Sequence, residues 1–422
     1  MTTAATSGLR FAVIGGGVAG LVAAYVLARR HSVVLYEARE RLGGHAHTVD
    51  VELDGRAFAV DTGFIVLNDR TYPLFTRLLD QLGVATHEAP MSFGVRSDRS
   101  GVEYAVTSLD SLFAQRHNAL RPSFYRLLVD IARWNRLAER SRGARYEAMP
   151  LRELLAEHRF SRRFVDEYLL PLGSAIWSCP SDRLGEFPVG FLTAFLHNHG
   201  MLAWSGHPQW RTVTGGSRRY IEAIAAAWRT EARLGQPVKT IARGGDAVAV
   251  ETEAGRVDRF DHAVVACHAD RALSMLDDPT PVERKLLGCF EYQRNVATLH
   301  TDTRSMPRSE RAWAAWNYHV RHGDENSVTL TYAMNRLQSL DAPRELLVTI
   351  NDPGTIDERA VLGRWTYHHP LYSVRTAAAQ SRHRELIDAN RTSYCGAYWG
   401  YGFHEDGVAS ALRVCEAFGD AL

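Results

Sequence analysis

Apolar residues run unbroken from Phe11 to Ile14 and again from Val33 to Tyr36. Short runs of this kind, bounded by polar or glycine positions, predict buried strands. Residues 21–30 carry helical spacing between them, so the chain opens as strand, helix, strand. Residues 49–60 then alternate around Asp54-Gly55, which is a hairpin pattern. A helix is expected over 72–82, stopped by Gly83, and a strand pair over 91–95 and 102–106. From Ser108 to about Trp204 glycine thins out and helical periodicity takes over, with helices expected over 125–138, 151–157 and 163–170. Pro171 and Gly173 break that pattern, and residues 187–204 are rich in aromatics.

Strand patterns return after Trp204. A helix over 215–227 leads to a strand at 237–243, a hairpin to Val257 and a buried strand at 260–267. Residues 293–302, 312–318, 327–334 and 346–351 read as strands of a second sheet. Residues 372–389 and 408–418 read as helices. The order implies an α/β chain whose first sheet is discontinuous, with pieces from the start, the middle and the end. The blocks between them form an inserted α+β domain. The expected division is 1–90, 212–290 and 385–422 for the first domain, and 91–211 with 291–384 for the second.

Chemistry enters directly after the first strand. Gly15-Gly16-Gly17-Val18-Ala19-Gly20 opens the helix, and Glu37 stands at the end of the second strand, seventeen residues beyond Gly20. Gly15 permits a tight turn, Gly17 leaves room for a pyrophosphate, and Gly20 lets helix and strand approach closely. The helix N-terminus offers unpaired amides and a positive dipole end to phosphate. An acid at the distance of Glu37 suits a ribose diol. These features together indicate an adenine dinucleotide without choosing between NAD and FAD.

Composition adds mainly exclusions. The 422 residues suit two domains, and a net charge of +1 gives no bulk electrostatic case for nucleic acid or an anionic membrane. The five cysteines are scattered, odd in number and lack a C-x-x-C spacing, so neither a disulfide framework nor a zinc site is expected. No stretch resembles a signal peptide or a spanning helix, the first eight residues read as a loose leader, and a reducing cytoplasm fits. His45-x-His47, His197-x-His199 and His368-His369 have the look of metal pairs, but no third ligand has matching spacing and no metal is expected. Only Lys239 and Lys285 are lysines.

Residues 37–45, Glu-Ala-Arg-Glu-Arg-Leu-Gly-Gly-His, resemble the extended fingerprint of flavin-dependent amine oxidases and phytoene-desaturase-like enzymes, with His45 where Arg is usual. Pro237-Val238 resembles the strand that brackets the adenine, and residues 402–408 resemble the closing flavin motif. Residues 41–48, 61–68, 313–318, 331–338 and 400–407 are similar to one subfamily. It includes bacterial NAD/FAD-binding oxidoreductases and the flavoprotein domain fused ahead of the methyltransferase in plant cyclopropane-fatty-acyl-phospholipid synthases. The resemblance implies a discontinuous Rossmann-like FAD-binding domain with an amine-oxidase-like substrate domain and non-covalent FAD.

It also implies roles. Gly15, Gly17, Val18, Ala19 and Gly20 would carry the pyrophosphate, Glu37 and Ala38 the adenosine, and Val238 the adenine. Arg41, Gly43, Gly44 and His45 would line the path to the flavin, and Gly63, Phe64 and Ile65 would pass its ring. Gly402, Phe403, Asp406, Gly407 and Val408 would close the site, with Asp406 starting the last helix. Tyr401 and Glu405 are the catalytic candidates. Trp316, Asn317, Tyr332, Asn335 and Trp399 are the substrate candidates, each with core packing as the competing reading. Hydride transfer from a C–H bond of an apolar, fatty-acyl or lipid-like substrate is the implied reaction. Amine oxidation, a flavin-bound isomerase and a partner subunit for a lipid methyltransferase are the alternatives. Peripheral membrane contact stays open.

Overall fold

A computed structural model describes residues 8–141, 143–203, 206–228, 230–321 and 329–422. The first seven residues of the expected loose leader, Trp204 and the start of the strand expected at 327–334 fall outside the described residues.

Five short strands form one fully parallel sheet in the order Glu231–Arg233, Ser32–Tyr36, Arg10–Ile14, His262–Val265, Thr392–Tyr394. They come from the beginning, middle and end of the chain, as the apolar runs require. Helix Val18–Leu27 is apolar on nearly every side because it lies between this sheet and the closing helix His404–Glu416. A Cβ at Gly407 would lie 2.6 Å from Val18, and one at Gly20 would lie 1.8 Å from the Gly15 carbonyl. Both glycines are therefore dictated by close packing.

The second sheet has seven strands, in the order Val361–Leu371, Glu291–His300, Leu347–Ile350, Leu330–Ala333, Trp316–Val320, Phe93–Ser97, Val102–Ala105. Its Val95, Tyr104 and Tyr318 pack with Leu127, Trp134, Phe164 and Trp177 of the helical insert. Ala297, Leu299 and Val348 pack against Val51, Phe58 and Val60 of the hairpin. No described helix is long and apolar enough to cross a membrane.

Three elements depart from the sequence reading. The helix expected to end before Pro171 continues to Trp177. It widens into a π turn over Val165–Leu169, and the Glu167 carbonyl, which Pro171 cannot engage, accepts the Tyr104 hydroxyl at 2.7 Å. Strand Val361–Leu371 was not anticipated, because Gly363 and Pro370 interrupt its pattern. It lies on the sheet edge, where a missing donor is tolerated. The helix expected over 372–389 is only Val374–Gln380, started by a Ser373–Thr376 capping box and followed by a separate turn, His383–Leu386.

Candidate active site

A cavity of about 550 Å³ opens at the carboxyl ends of the parallel strands and runs on to the second sheet. At the strand ends it meets Gly15, Gly17, Val18 and Ala19 after the first strand, and Glu37, Ala38 and Arg39 after the second. Ala266, Cys267 and His268 line it after the fourth, His262–Val265, and Gly396 and Ala397 after the last. This is where open α/β sheets bind nucleotides. A Cβ at Gly17 would meet no protein atom within 4 Å, so its missing side chain leaves space inside the cavity. The Gly43 amide donates to the Gly16 carbonyl at 2.8 Å, and Gly43 and Gly44 both have positive φ. That folds the second glycine turn across the first.

Glu37 faces this end and braces it. Its carboxylate accepts the Gly16 amide at 2.7 Å and the Arg39 amide at 2.9 Å. Arg41 does not line the cavity. Its guanidinium donates to the carbonyls of Leu42, Gly44 and Ala46 and so staples the glycine turn. Gly20 lies behind the loop, and Val238 pairs with Thr252 in a separate meander away from the lining.

Gly63, Phe64 and Ile65 form one wall, held where the Phe64 amide donates to the His45 carbonyl at 2.9 Å. Gly402, Phe403 and His404 form another. The closing helix begins at His404, two residues before the expected Asp406. Asp406 instead accepts the Phe403 amide at 2.9 Å, and burial pushes its carboxyl up to about 6. The Gly407 amide makes the first intrahelical bond, to the Phe403 carbonyl, and Val408 is core. The amides of the first turn, 404–406, therefore precede the intrahelical ladder, and those of Gly407 and Val408 are spent. His404 stacks on Phe64 at 3.5 Å, and its Nε2 lies 3.1 Å from the Tyr220 hydroxyl.

The far end is aromatic. Trp177, Phe195, Trp210, Trp316, Tyr332 and Tyr401 line it, with Met91, Ile176 and Met201. Trp316 and Tyr332 face each other on adjacent strands, rings 5.2 Å apart and nearly perpendicular. The Trp177 indole donates to the Tyr401 carbonyl at 3.0 Å and so fixes that turn.

The other expected residues are used elsewhere. Glu405 caps helix Pro73–Leu82, accepting the Leu74 and Phe75 amides at 3.0 and 2.9 Å, so it has no reach into the cavity. Asn317 bonds the backbone of Ala314 and Thr331. Asn335 holds Arg344 and Leu346. Trp399 is buried against His383, rings 4.2 Å apart. Lys239 pairs with Glu251 at the surface and Lys285 lies on helix Pro281–Leu287; neither lines the cavity.

Sequence reasoning missed His268 and the helix-borne Trp177 and Phe195, and weighed His369 only as half of a metal pair. His268 had a usable signal, since it directly follows a parallel strand. The helical residues had none, because only tertiary packing aims them inward. His45 lies 5.7 Å from His268 and 5.4 Å from His369, ring to ring, and its Nε2 is 3.1 Å from the His368 carbonyl. Among the described residues no group of three or more His, Cys, Asp or Glu is placed to hold a metal.

Burial pushes His45, His369 and His404 down to about 3, and His199 and His268 down to about 4. These imidazoles are neutral in the fold, whereas unfolding returns them to about 6.5. Below 6.5 the unfolded chain binds more protons, so their contribution is present above that pH and is lost as pH falls toward 4. The expected melting temperature is level from pH 8 to 7 and drops steadily from 6.5 to 4. Calorimetry showing no drop by pH 5 would contradict this.

The sequence model for flavin containing amine oxidoreductases matches residues 18–305. Solved structures share the fold at low identity. A CLA-producing fatty acid isomerase from P. acnes superposes with a TM-score of 0.68 at 16% identity, covering 97% of this chain and 98% of its own. Cyclohexylamine oxidase from Brevibacterium oxydans IH-35A gives 0.70 at 15%, covering 97% and 98%. Putrescine oxidase, in its putrescine complex, gives 0.69 at 14%, covering 98% and 99%. With well over half of its length matched, on this fold and around this cavity, the chain belongs to the flavin containing amine oxidoreductase family and is an FAD-dependent oxidoreductase.

Proposed function

We propose that this protein binds FAD without a covalent link and oxidises a C–H bond of an uncharged, apolar, acyl-chain-like substrate. One observation carries the substrate half. The charged lining residues Glu37, Arg39, Asp270 and Arg271 all follow the parallel strands, while the far end offers aromatic, aliphatic, methionine, histidine and serine side chains and no charged one. An ammonium substrate there would find no carboxylate, and burying an unpaired charge is costly. An apolar chain loses nothing on entering.

The residues fit the cofactor. The glycine turns would hold the pyrophosphate, Glu37 the ribose, and the first-turn amides at 404–406 the electron-rich edge of the flavin, where a helix N-terminus stabilises negative charge. The bound flavin supplies the two-electron acceptor. Tyr401, Trp316 and Tyr332 orient the chain and exclude water. Cys267, the one cysteine in the lining, sits beside the glycine loop, and burial pushes its thiol up to about 12, which disfavours the thiolate. Residues 1–90, 212–290 and 385–422 would serve the flavin, and 91–211 with 291–384 the substrate.

Anaerobic mixing of the flavin-loaded protein with fatty acids or phospholipids should bleach its visible absorbance, while cyclohexylamine and putrescine should not. The opposite pattern would establish amine oxidation instead. Rearranged acyl product without net flavin reduction would establish an isomerase.

A further inference from the structure

We infer that residues 106–129 form a docking surface for an anionic lipid membrane. Eight large hydrophobic side chains are exposed among the described residues, and five of them fall in this one short stretch: Val106, Leu109, Leu120, Tyr125 and Val129. The other three, Val257, Val282 and Leu362, are scattered. Leu109 is 77% exposed and Leu120 is 86% exposed, so they are not poorly covered core positions. Isolated surface apolar residues need no explanation, but a concentrated set marks an interaction site.

The five belong to one folded unit. Leu109 rides on helix Leu109–Leu112 and Leu120 ends the turn Arg116–Leu120. Tyr125 and Val129 lie one turn apart on the following helix, Pro122–Arg140, whose opposite side buries Phe124, Leu127 and Ile131. The Tyr125 hydroxyl donates to the Ala119 carbonyl at 3.0 Å, tying helix and turn together, and Phe113 packs against Phe124 beneath them. The apolar tips are thus presented on a scaffold that needs no rearrangement.

Charge selects the occupant. Arg116 pairs with the exposed Asp110, and Arg126 and Arg133 share the buried Asp130, so with Arg121 four arginines here stand against two carboxylates. Arg163 donates to Ser123 at 2.6 Å but is offset by Glu167 at 3.2 Å. The adjoining turn contributes Glu310 and Arg311, which cancel. Exposed leucines beside a local surplus of arginine suit an interface where acyl chains lie beneath anionic headgroups. A second copy of the same face would bring like charges together, which disfavours self-pairing. The inference is independent of which bond the enzyme oxidises.

The test is flotation of the flavin-loaded full chain with phosphatidylglycerol–phosphatidylcholine vesicles and with phosphatidylcholine alone. Expected is binding to the anionic vesicles, weakened by salt, and about tenfold weaker in Leu109→Asp and in Leu120→Asp. Leu362→Asp, away from the patch, should bind as wild type. All three variants should keep their flavin spectrum, which checks folding. Equal binding to neutral vesicles, no binding to either, or binding indifferent to the two patch variants overturns the proposal. So does concentration-dependent dimerisation that the same two variants abolish.

Discussion

Gly17→Val is expected to yield a folded protein that takes up no flavin. Gly17 sits at φ −75° and ψ 179°, extended backbone that valine adopts readily. Its added Cβ would touch no protein atom within 4 Å, so the apo fold loses nothing. The side chain would instead project into the cavity at the mouth of helix Val18–Leu27, where a pyrophosphate must come close to the backbone amides. We expect flavin affinity to fall roughly a thousandfold, about 4 kcal/mol. Gly20→Ala, three residues on, should behave oppositely. Its Cβ would lie 1.8 Å from the Gly15 carbonyl, backbone against backbone, so helix and strand must separate at a cost of about 3 kcal/mol or more. Far-UV circular dichroism and FAD titration separate the two effects. A yellow Gly17→Val protein would refute the assignment of this loop to the cofactor.

The contrast between those glycines also shows what a linear reading reaches. The strand, turn, helix and strand from Arg10 to Tyr36 are legible because their partners lie within one short stretch and their glycines answer local geometry. Pro171 misled because its consequence is repaired at a distance, by the Tyr104 hydroxyl. Glu405 looked reactive beside Tyr401, yet a helix rotates neighbouring side chains by about 100°, and this one points to the amides of Pro73–Leu82. Tyr401 and Trp316 line the cavity while Asn317, next in sequence, does not, because successive strand residues face opposite sides. A motif locates a segment; the packing around it decides which of its side chains reach the site.

Asp61→Ala should be the most destabilising single truncation near the site. Asp61 is fully buried, and its carboxylate accepts the Thr48 hydroxyl at 2.6 Å, the Ser217 hydroxyl at 2.7 Å and the Gln338 side-chain amide at 3.0 Å. The Ser217 amide reaches it at 3.0 Å. These donors come from the hairpin, from the turn before helix Arg218–Ala227 and from the segment after Met334–Leu337. Burial pushes the acid up to about 6 while the donors hold it down, so it is ionised at neutral pH. Removing it strands several buried donors at once and leaves a void, a loss of about 3–5 kcal/mol. The damage continues into the cavity, because Gly63, Phe64 and Ile65 follow directly and a Gly63 side chain would have no room against the His45 carbonyl. Urea titration should therefore show a lowered midpoint, and bound FAD should dissociate faster at denaturant concentrations that leave wild type intact. Asp61→Asn keeps the volume but turns one acceptor into a donor facing donors, and most of the loss should persist. An Asp61→Asn protein as stable as wild type would show that shape, not the carboxylate, joins these three segments.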